Sequence, residues 1–176
     1  MEFKEPDEFW WEFSTERLSS YKPGGFHPVH IGDLFSKIQA TGRPRYKILA
    51  KLGTGSYSTV WLATDMLINR LVALKIIVAR LTGHNKEIPI LDRLSRCEPG
   101  TAGVAHIIRL LDSFQVEGPN GVHEVLVTEV VIGWNELYEA EAAPPVRKVA
   151  TELALGLKHI HSLQIVHGGE SLSFLQ

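Results

Sequence analysis

Two short stretches decide how this chain folds: Gly53-Thr-Gly55-Ser-Tyr-Ser58-Thr-Val60 and, one strand further on, Val72-Ala-Leu-Lys75. Glycines let backbone N–H groups come close to a phosphate, because no Cβ intervenes. Alone the glycine pattern is weak, since glycine-containing hairpin turns are at least as common. A dinucleotide-binding turn would need a helix directly after it, to aim its N-terminus at the pyrophosphate. Val60-Trp61-Leu62 follows instead and reads as a strand, so the glycines belong to a hairpin. In the next strand, alternation puts Ala73 and Lys75 on one face and Val72, Leu74 and Ile76 on the other. A small residue beside a lysine suits a flat base with phosphates attached. The bland alternative is a surface lysine on an edge strand, and the preceding glycine hairpin weighs against it.

Working outward, Tyr46–Leu52, Thr59–Ala63 and Leu71–Val78 read as three strands, with Asp65–Arg70 as the turn between the last two. Short connections suggest an antiparallel meander. Lys86–Arg96 has helical spacing through Ile90, Leu91 and Leu94. Ile107–Glu117 and Val122–Val131 read as two more strands around the turn Gly118-Pro-Asn-Gly121. Val146, Val149, Ala150, Leu153, Leu157 and Ile160 recur at helical spacing, so Pro145–Ser162 is expected to be an amphipathic helix, with Pro144 and Pro145 suited to its first turn. The fold class expected is α+β: a five-stranded antiparallel sheet, one helix beside it and a C-terminal helix.

The composition fits one globular domain: 176 residues, 44% hydrophobic and 22% charged. A net charge of -2 gives no basic field for nucleic acid. The single cysteine, Cys97, excludes an intramolecular disulfide and suits a reducing compartment. No signal peptide or membrane-length apolar run is present, so the expectation is a soluble intracellular protein, cytoplasmic or nuclear, without membrane partners. Residues 1–44 are punctuated by Pro and Gly and read as a loop-rich arm. Trp10 and Trp11 in it either fold back onto the domain or anchor a partner. His27 and His30 are expected to be solvated loop residues rather than metal ligands.

The glycine-rich segment followed by Val-Ala-Leu-Lys resembles the nucleotide loop and strand lysine of protein kinases. Ser58 stands where many kinases have a third glycine. Tyr21-Lys-Pro-Gly-Gly-Phe-His-Pro-Val-His30 and Ser56-Tyr-Ser-Thr-Val-Trp-Leu-Ala63 are similar to the SR-protein kinases, fungal members especially. The resemblance covers about residues 21–170. It implies an ATP site in a lobe spanning 45–132, followed by a segment 133–176 with the αE helix of the large lobe. It also implies site roles: Gly53, Thr54, Gly55, Ser56, Tyr57 and Ser58 at the phosphates, Val60 and Ala73 against adenine, and Lys75 on the phosphates. Glu87 is the candidate to pair with Lys75, although Pro89 suggests that the helix begins near Pro89, with Glu87 just before it. Thr128 falls behind adenine and Glu129–Val131 at the hinge. A solvated Glu87 and an ordinary buried strand at 126–130 are the bland alternatives.

The resemblance falters at His167-Gly168-Gly169. Gly169 stands at the catalytic aspartate position and has no carboxylate to accept a hydroxyl proton. Phe174 stands at the asparagine position and cannot hold magnesium. Glu170 is one position from the missing acid, and His167 is read as structural. No Asp-Phe-Gly follows. The family reaction is ATP-dependent phosphorylation of protein Ser/Thr. This chain is expected to bind ATP, to lack the family's magnesium ligands and to catalyse little; no catalytic residue is intact and no other metal site is indicated. The apolar stripe of the C-terminal helix is expected to lack a covering element, so an alternative is a non-catalytic module binding a protein partner through it.

Overall fold

The computed structural model describes residues 16–36, 43–96, 101, 103–131 and 145–166. Trp10, Trp11, Cys97, Pro144, His167, Gly168, Gly169, Glu170 and Phe174 lie outside the described residues. Six strands form one sheet: β1 (Leu34–Phe35), β2 (Tyr46–Thr54), β3 (Ser58–Asp65), β4 (Arg70–Ile77), β5 (Leu110–Gly118) and β6 (Gly121–Thr128), in the order β1-β2-β3-β4-β6-β5. Two helices accompany it, α1 (Glu87–Ser95) and α2 (Val146–Ser162). The five expected strands are all present, and the sixth is the two-residue β1, contributed by the arm.

The described residues pack as two units. The first holds those up to His84 together with Ser113–Val127; the second holds Asn85–Asp112 and those from Thr128 on. In the first unit β2, β3 and β4 form the antiparallel meander. Its core is built by alternation: Thr59, Trp61, Ala63 and Asp65 of β3 are buried, as are Val72, Leu74 and Ile76 of β4. Tyr46 and Phe114 stack nearly parallel, ring centroids 5.5 Å apart. Val125, Leu126 and Val127 of β6 are all buried, so both faces of that strand are covered. Asp65 is buried and held by Arg45, whose Nε donates to Oδ1 and Oδ2 at 3.0 Å and whose terminal nitrogen reaches Oδ2 at 2.7 Å.

The arm is more structured than its punctuation suggested. Phe26, His27 and Phe35 are buried. His27 therefore corrects the expectation of a solvated loop histidine. Its ring lies edge-on to His123, centroids 4.8 Å apart, and Gly118 makes room for it: a Cβ there would come within 2.4 Å of the imidazole. Burial, then the neighbouring His123, lower the His27 pKa to about 4, so the ring is neutral at pH 7. His30 is exposed as expected.

In the second unit, α1 starts at Glu87, not after it. Pro89 is tolerated because the first N–H groups of a helix have no intrahelical acceptor. The first i to i−4 bond runs from Ile90 N–H to the Lys86 carbonyl, 3.2 Å, just past the proline. The Asn85 side-chain oxygen accepts the Glu87 N–H at 2.9 Å, supplying a cap. α2 starts at Val146, with Pro145 extended before it rather than in the first turn. The stripe of α2 is partly covered. A turn at Val104–His106 sits against it, and a Cβ on Gly103 would meet the Leu155 carbonyl at 2.2 Å. Gly156, His159 and Ile160 are buried, so the expectation of a stripe without a partner is corrected at its C-terminal end, while Val146 and Ala150 stay exposed.

Candidate functional site

The glycine hairpin closes at its mouth through the Gly55 N–H, which donates to the Ser58 carbonyl at 2.9 Å. Strand register then assembles the site. Gly53 pairs with Val60 across β2 and β3, and Val60 with Lys75 across β3 and β4; Leu62 pairs with Ala73 two residues on. Directly opposed residues share a face of the sheet, so Val60, Leu62, Ala73 and Lys75 form one patch beside the hairpin. It is the less enclosed face of β3: Val60 and Leu62 are half-buried, whereas Thr59, Trp61 and Ala63 are buried. Leu62 was not singled out from the sequence, although its alternation with Val60 was the signal that could have found it.

Glycine at 53 is not demanded by the fold itself. A Cβ there would have nothing within 4 Å, and neither Gly53 nor Gly55 has a positive φ. The space that side chains would occupy over the hairpin is therefore open. The Thr54 hydroxyl oxygen is buried with no hydrogen-bond partner among the described residues. The open space over Gly53 fits a phosphate-bearing ligand, whereas Thr54 pairs with Thr59 and so turns its hydroxyl to the opposite, enclosed face of the sheet. Ser58, at the third-glycine position, is buried, and its hydroxyl lies 4.0 Å from where a Cβ on Gly55 would stand.

The remaining predicted site residues belong to the second unit. Thr128, the last residue of β6, is buried, and its hydroxyl donates to the Glu129 carbonyl at 3.1 Å. A Glu129 carboxylate oxygen accepts the Arg109 N–H at 3.1 Å, and Val131 is exposed. Glu87 is half-buried in the first turn of α1. Among the described residues no group of three or more His, Cys, Asp or Glu is arranged to hold a metal ion, and Phe174 offers no ligand at its position.

The protein kinase domain family matches residues 46–168. This chain belongs to the protein kinase family. It is 38% identical over 163 residues, 85% of its length, to the serine/threonine-protein kinase SKY1 of Saccharomyces cerevisiae, and spans 21% of that protein. It is 34% identical over 164 residues, 86% of its length, to human SRSF protein kinase 3, spanning 27% of it. A serine/threonine protein kinase of Aspergillus fumigatus is 30% identical over 168 residues, 92% of this chain and 41% of that protein. The chain thus spans less than half the length of these relatives, all of them protein kinases by name. Its resemblance to the SR-protein kinases, read first from residues 21–30 and 56–63, holds over most of its length. Protein kinases use ATP with magnesium. No helix among the described residues is long and apolar enough to cross a membrane.

Proposed function

We propose that this chain is an ATP-binding kinase lobe with little or no catalysis of its own. The observation that carries the reading is the register Gly53–Val60–Lys75, with open space where a side chain at Gly53 would stand. Backbone amides of residues 53–58 cradle the phosphates with Lys75, and Val60 and Ala73 contact adenine. The resemblance to protein kinases assigns Glu87 to the strand lysine, and Thr128 with the backbone of Glu129–Val131 to the base. Weak catalysis follows from chemistry alone: Gly169 cannot take a proton from a hydroxyl, and Phe174 cannot hold magnesium. Phosphoryl transfer consists almost entirely of positioning and charge neutralisation, so losing both leaves binding without turnover.

The test is a thermal melt of the chain with and without Mg-ATP, beside Lys75→Ala. Ligand at a hundred times its Kd stabilises by about 2.7 kcal/mol, which raises the midpoint of a chain this size by about 5 °C or more. Wild type is expected to shift and Lys75→Ala to lose most of the shift. A cooperative melt that ignores ATP sinks the reading. A phosphotransfer assay on a mixed Ser/Thr peptide library is expected to show no incorporation above background.

A second reading draws on α2. Val146 is 74% exposed, and Val149, Leu153 and Leu157 are only half-buried. A protein partner bound along this face explains the remaining apolar surface. Val149→Asp with Leu153→Asp, shown to keep the fold, would then abolish capture of that partner while Lys75→Ala would not.

A further inference from the structure

The arm is fastened to the sheet close to the glycine hairpin. The Gly24 N–H donates to the Asn120 carbonyl at 2.8 Å, and the Asn120 side-chain amide donates to the Phe26 carbonyl at 2.7 Å. The carbonyls of Gly24 and Gly25 accept the N–H groups of Arg80 and Ala79, each at 3.0 Å. This clamp has no slack. Gly24 has φ +80°, and a Cβ on Gly25 would lie 1.9 Å from the Ser20 carbonyl oxygen. Ala79–Leu81 form a 3-10 turn directly after β4, so the arm fixes the backbone that carries Arg80.

From that turn, two contacts reach the tip of the hairpin. The Arg80 guanidinium lies over the Tyr57 ring, 5.6 Å from its centroid. The Val78 N–H donates to the Tyr57 carbonyl at 2.9 Å. Tyr57 is 53% exposed and Arg80 is exposed as well, so core packing does not force them together.

We propose that the arm positions the glycine-rich hairpin through Arg80, which makes Arg80 a positioning residue for nucleotide binding. It acts through Tyr57 and touches no nucleotide. The inference rests on the ATP-binding reading and adds a control point to it. A hairpin already held in place loses less freedom when phosphates dock on its amides. Releasing it weakens binding by the strength of the lost contact. An exposed cation–π pair of about 0.5–1 kcal/mol corresponds to a two- to fivefold change in Kd.

The experiment uses the full chain as wild type, Arg80→Ala, Arg80→Leu and Arg80→Lys. Trinitrophenyl-ATP is titrated by fluorescence, and amide exchange at Val78 is followed without nucleotide. Arg80→Ala and Arg80→Leu are expected to weaken binding two- to fivefold and to speed Val78 exchange. Arg80→Lys keeps a cation over the ring and is expected to stay within about twofold of wild type. Leucine keeps the stem but not the charge; wild-type affinity and exchange in Arg80→Leu would overturn the proposal. So would tighter binding in Arg80→Ala, which would mean that the contact holds the hairpin away from the ligand. If wild type itself binds no analogue, the ATP reading fails, and Val78 exchange alone decides the coupling: faster in Ala and Leu but not in Lys supports it, unchanged in all overturns it.

Discussion

Asp65 shows how one residue can be read correctly for its neighbourhood and still conceal its main role. The sequence placed it at a turn, where aspartate is common. In the structure it is 2% exposed at the end of β3, with its carboxylate shared between Arg45 and the Leu67 N–H at 3.0 Å. Burial pushes the Asp65 pKa up, but the Arg45 guanidinium and the turn amides outweigh it, so the carboxyl titrates below its ordinary value. Its stabilisation is accordingly present above the unfolded-state pKa and is lost as pH falls through the lower folded value. Asp65→Asn keeps the volume and leaves Arg45 facing a neutral amide. Removing one partner of a buried pair costs about 3 kcal/mol or more. Urea denaturation at pH 7 is expected to show a loss of about that size; a loss below about 1 kcal/mol would mean that water already screens the pair. The shared face of Ala73 and Lys75 was legible for the opposite reason: it follows from strand parity, which depends on no distant partner.

At the scale of elements, periodicity located all five longer strands and both helices, because alternation and the 3.6-residue repeat are written into contiguous residues. Ends were less legible. α1 begins at Glu87 only because Asn85 caps it and because proline is harmless where no i−4 carbonyl is available. β1 escaped notice because two residues carry no period; it exists because the Ile48 N–H donates to the Asp33 carbonyl and the Gly32 N–H to the Ile48 carbonyl, both at 2.9 Å. The cover on α2 was invisible for a related reason, since it depends on Gly103 approaching a helix far along the chain. Gly103 has φ +93°, and its α-carbon faces the Leu155 carbonyl so closely that no Cβ fits. Gly103→Ala therefore incurs both left-handed backbone strain and displacement of the turn from α2. A loss of at least about 2 kcal/mol is expected, read as faster amide exchange at Ile107 and along 155–160. Unchanged protection there would show that the turn and α2 pack independently.

For the whole molecule, the docked arm makes stability depend on pH through a pair of histidines drawn from opposite ends of the first unit's sequence. The His27 Nδ1 has no partner among the described residues. The His123 Nδ1 lies 2.9 Å from the Ile77 carbonyl, placed to donate to it. Burial lowers both pKa values, for His27 to about 4 with His123 adding to the effect and Asp33 opposing it; for His123, the bond to Ile77 opposes burial. A histidine depressed in the folded state binds fewer protons than its unfolded counterpart. Stability contributed by the neutral ring is then complete above pH 6.5 and declines as pH falls from about 6.5 toward about 4. Summed over that window the His27 contribution is about 3 kcal/mol. The thermal midpoint is expected to drop steadily across it, before the carboxylates titrate. His27→Gln removes the titrating group while keeping a polar side chain against Gly118, and should flatten the slope between pH 6.5 and 4.5 even if it lowers the midpoint at pH 7. An equal slope in wild type and variant would place the acid sensitivity elsewhere and leave His27 as packing alone.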